Sequence, residues 1–193
     1  MNIDFANLGL AYNEHRSSID SAMSKVIENS SFIMGPAVAE FEKNLNSFVG
    51  ANHSLTCSSG TDALLLAMMA LDIQPGDEII TSPFTFIASA ETIAFLKAVP
   101  VFVDIEAESY TIDPAKIEKA ITKKTKAIMP ISLFGQVADM KAINAIANKH
   151  NLYVIEDAAQ SFGAMHHGEK SCNLSTIGCT SFFPAKPLGC FGD

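Results

Sequence analysis

Residues 78–103 read EIITSPFTFIASAETIAFLKAVPVFV. The opening EIIT is rich in branched apolar residues and too short for a helix. A loop follows, with Pro83 and the two aromatics Phe84 and Phe86. From 87 to 97 the apolar residues fall at spacings of three and four, the period of a helix face. Then VPVFV, 99–103, reverts to a short apolar run. Strand, amphipathic helix and strand thus follow one another without interruption.

The same alternation extends outward. Further strands are predicted at 54–57, 127–131, 152–155 and 179–182, and further helices at 62–71, 114–121 and 140–148. Pro75-Gly76-Asp77 is a turn ahead of a strand, and Asp113-Pro114 pairs an N-cap with proline at the first helical position. Alternation of this kind predicts an α/β fold of three layers, a mainly parallel sheet flanked by helices. Upstream, 1–50 is a helical N-terminal segment whose second helix starts at Pro36, with Val38, Phe41, Leu45 and Phe48 in one stripe. Residues 51–193 form the large domain.

Composition narrows the function classes. Of 193 residues, 48% are hydrophobic and 18% charged, as in a globular protein with a real core. Thirteen Lys and Arg against twenty-one Asp and Glu leave a net charge of −8. That balance, with no basic cluster beyond Lys123, Lys124 and Lys126, disfavours nucleic acid and anionic membranes as partners. No apolar run is long enough to span a bilayer. Cys57, Cys172, Cys179 and Cys190 show no CxxC spacing, and the start shows no secretory pattern, so a cytoplasmic protein without disulfides is expected.

Ligands of such sheets sit beyond the C-terminal strand ends, and four segments at those ends carry usable chemistry. Ser58-Ser59-Gly60-Thr61-Asp62 precedes an apolar helix, where small residues let N–H groups approach an anion; it also fits an ordinary helix cap. Phe84 and Phe86 offer flat faces to a planar ring, or simply pack. Asp157 in Glu156-Asp157-Ala158-Ala159-Gln160-Ser161 follows a buried strand, where a carboxylate can hold a protonated ring nitrogen or cap a helix. Lys186 in Ser181-Phe182-Phe183-Pro184-Ala185-Lys186 lies in an apolar stretch that would lower its pKa and make it nucleophilic, unless it is a solvated loop lysine. Together they supply what pyridoxal 5'-phosphate (PLP) needs: an anion cradle, a ring face, an acid for the ring nitrogen and a lysine for the aldehyde.

Three other features are weaker. Residues 163–171, GAMHHGEKS, resemble a phosphate-binding loop but put Glu169 at the lysine position. His166, His167, Cys172 and Cys179 fit no common zinc spacing, so no metal is expected. Cys190 reads as a small apolar residue.

SSGTDALLLAM (58–68), PGDEIITSPFTFIASAET (75–92), PVFVDI (100–105), IEDAAQSFGA (155–164) and SFFPAKPLGCFGD (181–193) resemble the DegT/DnrJ/EryC1/StrS family of nucleotide-sugar aminotransferases. The likeness starts at FIMGPAVAEF (32–41). It implies an aspartate-aminotransferase-like large domain binding PLP, with L-glutamate and a nucleotide-sugar as substrates and a homodimer at full length. CNLSTIGCTSFFPAKPLGCFGD (172–193) looks closest to members that aminate UDP-2-acetamido-2-deoxy-3-oxo-glucuronate for surface-polysaccharide synthesis. By this resemblance Gly60, Thr61 and Ser181 hold phosphate and Phe86 stacks on the ring. Asp157 pairs with the ring nitrogen, Gln160 approaches the ring hydroxyl, and Lys186 takes the aldehyde. Sugar dehydratases of the family carry histidine at the lysine position, so Lys186 points to transamination rather than dehydration. Members are about twice this length, so the large domain is expected to be truncated after the lysine segment, with the C-terminal small domain absent. A chain so truncated would lack turnover, and a non-catalytic piece that keeps the fold is the remaining alternative.

Overall fold

The computed structural model describes residues 7–192, and the chain divides between Thr56 and Cys57 into two compact units. The first holds α1 (Leu8–Glu28) and α2 (Pro36–Val49). Asn7 caps α1 by accepting the Leu10 N–H at 3.0 Å. Pro36 opens α2, where its missing N–H costs nothing, and Gly50 closes it in the left-handed region at φ 84°. The stripe expected on α2 is half-buried at Val38, Phe41 and Leu45 but exposed at Phe48, with Val49 buried instead.

The strand expected at 54–57 does not form. The N–H and hydroxyl of Thr56 both donate to Glu42 Oε1, at 2.8 and 2.9 Å, and the Ser54 hydroxyl donates to Asn46 at 2.6 Å. These polar residues are tied to α2, where a strand would have used the Thr56 amide in a ladder.

The second unit contains α3 (Gly60–Ala70), β1 (Glu78–Thr81), α4 (Ala88–Phe95), β2 (Val99–Phe102), α5 (Pro114–Ala120), β3 (Thr125–Met129), α6 (Met140–His150), β4 (Tyr153–Asp157), the short strands β5 (Met165–His166) and β6 (Glu169–Lys170), and β7 (Ile177–Cys179). Five strands make one sheet in the order β2-β1-β3-β4-β7, and all four pairings are parallel. β3 stops earlier than expected because Pro130 has no N–H for the ladder. β7 likewise ends at Cys179, after which the Thr180 hydroxyl donates to the Ala158 carbonyl at 3.1 Å.

Period-two alternation feeds two cores. Ile79, Ala127, Met129 and Ile155 face one way and pack with Leu64 and Met68 of α3 and Ile93 of α4. Ile80, Ile128 and Val154 face the other way, against Ile117 of α5 and Met140, Ile143 and Ala147 of α6. A sheet covered on both sides is the three-layer α/β architecture that near-continuous apolar strands demand. Chain order reverses between β1 and β3, and at that point Thr81 donates its hydroxyl to the Met129 carbonyl at 2.9 Å.

The phosphate-loop look-alike is an antiparallel hairpin, Met165 opposite Lys170 and His166 opposite Glu169. His167 and Gly168, at φ 51° and 89°, form its turn. No described helix is long and apolar enough to cross a membrane.

Candidate functional site

Because the five strands run parallel, their C-terminal ends lie along one edge, where ligands of such sheets bind. Asp157 is the last residue of β4. Its N–H donates to the Pro130 carbonyl at 2.9 Å, and its carbonyl accepts the Ser132 N–H at 3.0 Å. With the backbone clamped to the segment after β3, the side chain has a fixed origin. It is 6% exposed. Oδ2 accepts the Ser89 hydroxyl at 2.7 Å and Oδ1 the Ala159 N–H at 3.2 Å. Burial raises the Asp157 carboxyl above its ordinary range; Ser89, the Ala159 amide and the Lys186 charge pull it back down. A buried carboxylate with two neutral donors and a cation within electrostatic reach is suited to a cationic hydrogen-bond donor.

Lys186 is half-buried and makes no ion pair among the described residues. It stands on a closed loop: its N–H donates to the Phe183 carbonyl and that of Cys190 to the Phe182 carbonyl, both at 2.8 Å. Gly189 permits this closure, since a Cβ there would lie 2.1 Å from the Pro184 carbonyl oxygen. The Phe182 ring meets Phe162 edge-on at 5.7 Å, which ties the loop to the segment after β4. Lys186 shares a cleft of about 610 Å³ with Phe134, Gln160, Phe183, Ala185 and Pro187. Gln160 Oε1 accepts the Phe134 N–H at 3.0 Å, so its amide NH2 remains as a donor.

A third group gathers at the start of α3. Ser59 accepts the Asp62 N–H at 3.1 Å, and its carbonyl accepts the Ala63 N–H. The N–H groups of Gly60 and Thr61 and the Thr61 hydroxyl have no partner among the described residues. A Cβ on Gly60 would sit 2.7 Å from the Ser181 Cβ. Residue 60 must therefore be glycine for the two segments to touch, and the contact brings the Ser181 hydroxyl beside the open helix start. Free N–H groups, two hydroxyls and a helix dipole suit a phosphate. The Asp62 carboxylate, also in this first turn, is held by the hydroxyls of Ser58 and Ser59 at 2.5 and 3.1 Å.

Phe86 leads into α4 one turn before Ser89 and is 66% exposed. It does not line the Lys186 cleft. The structure thus brings Lys186 together with Gln160, with Asp157 within electrostatic reach of Lys186, and sets Gly60 against Ser181.

Three residues escaped the sequence reading. Ser89 belongs to a helix, ASAETIAF, that also carries Glu91 and Thr92, so nothing local in the sequence marks it out; the structure shows it fully buried. Phe134 lies in a stretch with no period, at φ 55°, its ring edge-on to Phe84 at 6.3 Å. Glu156, fully buried, faces the opposite side of the sheet from Asp157 and accepts from Ser132 Oγ, Ser171 Oγ and the Cys172 N–H at 2.8, 2.7 and 2.8 Å.

Residues 13–193 match the model of the DegT/DnrJ/EryC1/StrS aminotransferase family. Over 191 residues the chain is 53% identical to UDP-2-acetamido-2-deoxy-3-oxo-D-glucuronate aminotransferase of Pseudomonas aeruginosa, covering 99% of this chain and 53% of that protein. Its structure superposes on DesV from S. venezuelae with a TM-score of 0.97 at 39% identity, covering 99% of this chain and 52% of that one. NtdA from Bacillus subtilis, crystallised with bound cofactor PMP, gives a TM-score of 0.88 at 37% identity, over 93% of this chain and 40% of that one. The chain therefore spans about half the length of the relatives it matches.

Proposed function

Since the chain belongs to the DegT/DnrJ/EryC1/StrS aminotransferase family, we propose that it is the cofactor-holding part of a PLP-dependent enzyme that moves an amino group from L-glutamate to a nucleotide-linked keto-sugar. The observation that carries this reading is the deeply buried Asp157 carboxylate at the C-terminal edge of a parallel sheet, held by two neutral donors and with no ion-pair partner among the described residues. Few structural needs would place a carboxylate there with only two neutral donors. A cationic ring nitrogen supplies the missing partner.

When bound, PLP supplies an aldehyde that condenses with amines and a ring that takes up the electron pair left as the donor Cα loses a proton. The chain's residues do the rest. Gly60 and Thr61 N–H groups, with the hydroxyls of Thr61 and Ser181, hold the phosphate. Asp157 accepts the ring N–H, and Ser89 keeps the carboxylate aimed. The bound cation also offsets the burial that raises Asp157, so the carboxylate is charged when it is needed. Gln160 turns its free amide NH2 toward the ring hydroxyl, and Phe86 covers one ring face. Lys186 would bind the aldehyde carbon and, as a free amine, would move a proton between the donor Cα and the cofactor C4′.

For the sugar, identity to the Pseudomonas enzyme supports a UDP-2-acetamido-2-deoxy-3-oxo-glucuronate type of substrate; use of the product in surface polysaccharide is part of the same proposal. The test is an enzyme of the relatives' full length with this chain as its first half. Glutamate-dependent amination of that UDP-3-keto-sugar, abolished by Lys186→Arg, is the expected result. Conversion of glutamate with no sugar product would remove the sugar assignment. Failure of both half-reactions would remove the enzyme class.

A further inference from the structure

Glu156 is a fully buried carboxylate that none of the roles above uses. Its neighbour Asp157 points at α4 through Ser89, whereas Glu156 points through the other face of the sheet. There it gathers three segments. Ser132 Oγ, just after β3, donates to Oε1 at 2.8 Å; Ser171 Oγ donates to the same oxygen at 2.7 Å; the Cys172 N–H donates to Oε2 at 2.8 Å. Ser161 Oγ lies 2.6 Å from Ser171 Oγ. Because the Ser171 proton goes to Glu156, Ser161 is the donor in that contact, so every proton of the network points toward the carboxylate.

The residues so held flank the cleft. Ser132 is two residues before Phe134, and Ser161 directly follows Gln160. Phe134 and Gln160 are themselves joined, Phe134 N–H to Gln160 Oε1 at 3.0 Å, and both line the cleft with Lys186. Phe134 holds a left-handed backbone, φ 55°, which a bulky residue keeps only when its surroundings impose it. Resting on the reading of this cleft as the cofactor site, we infer that Glu156 is a positioning residue: from behind the sheet its carboxylate fixes the 132–136 and 160–161 segments, and so orients the Gln160 amide and the Phe134 ring toward the group bound at Lys186.

Amide exchange on the chain itself tests this without any turnover. In Glu156→Gln the NH2 replaces one acceptor, so the Ser132 and Ser171 hydroxyls must turn from donors to acceptors or the Cys172 N–H loses its partner, and the charge-assisted hold on the two segments is lost. The Phe134 amide should exchange about tenfold faster while Ile79 and Ile128 amides in β1 and β3 stay protected. Gln160→Leu, which removes the acceptor, should raise Phe134 exchange similarly, and the double variant should add little to either single change. If Glu156→Gln does not fold, Ser132→Ala removes one donor and should accelerate the same amide by a smaller factor. Unchanged Phe134 exchange in the folded variant, or an equal rise at every strand amide, would overturn the inference. Absence of PLP binding with the expected exchange pattern would instead count against the cofactor reading and leave the positioning intact.

Discussion

Glu156 and Asp157 are adjacent carboxylates, yet they face opposite environments because strand side chains alternate. That Asp157 lies close behind a buried strand is visible in the sequence, although the strand expected at 152–155 runs on to Asp157 itself; that Glu156 collects donors from Ser132, Ser171 and Cys172 is not visible, since no local period links them. Ser89 is hidden for the same reason, its partner being distant in the chain. The Asp157 environment has a measurable consequence. Burial raises its carboxyl, so the folded chain binds that proton more tightly than the unfolded chain does. The corresponding stability is present below the unfolded value of about 4 and is lost as pH rises through the folded value. Asp157→Asn should therefore stabilise the PLP-free chain at pH 7, with the gain vanishing below about pH 4. The same substitution should weaken PLP binding by about tenfold or more, since a charge-assisted hydrogen bond is lost. Urea melts across pH and a PLP titration check both halves; a destabilised Asp157→Asn at pH 7 would refute the burial argument.

At the scale of elements, period and punctuation made β1, α4 and β2 legible within residues 78–103, because apolar spacing is local. The segment at 54–57 misled because hydrogen bonding to Glu42 outweighed its strand-like composition. Substituting Ile79 and Ile80 in turn tests the two-core arrangement. Each is fully buried on its own face, so each alanine variant should lose roughly 2–5 kcal/mol in denaturant unfolding. A negligible loss at either would mean that one face of the sheet is not packed. The junction of α3 with the segment after β7 is equally specific. Gly60→Ala places a Cβ 2.7 Å from the Ser181 Cβ, and overpacking of this kind costs about 1–3 kcal/mol. Adding Ser181→Gly should restore much of that stability but not phosphate affinity, because the hydroxyl is gone. Full additivity of the two changes in a double-mutant cycle would contradict the contact.

Across the whole molecule, alternation of strands and helices foretells a parallel sheet with covered faces, but not which strands are neighbours. The order β2-β1-β3-β4-β7 depends on contacts far apart in sequence. It is this order that lines up the ends of β1, β3, β4 and β7, and with them Phe86, Asp157, Gln160 and Ser181. The central claim is that the edge so formed is a PLP site with Lys186 as its aldehyde-binding amine. The most direct measurement is to incubate the chain with PLP, reduce with borohydride and map the pyridoxyl group by peptide mass spectrometry. The account predicts the label on Lys186, lost in Lys186→Arg and strongly reduced in Asp157→Asn. Label spread evenly over other lysines, or unchanged when Lys186 is replaced, would contradict it.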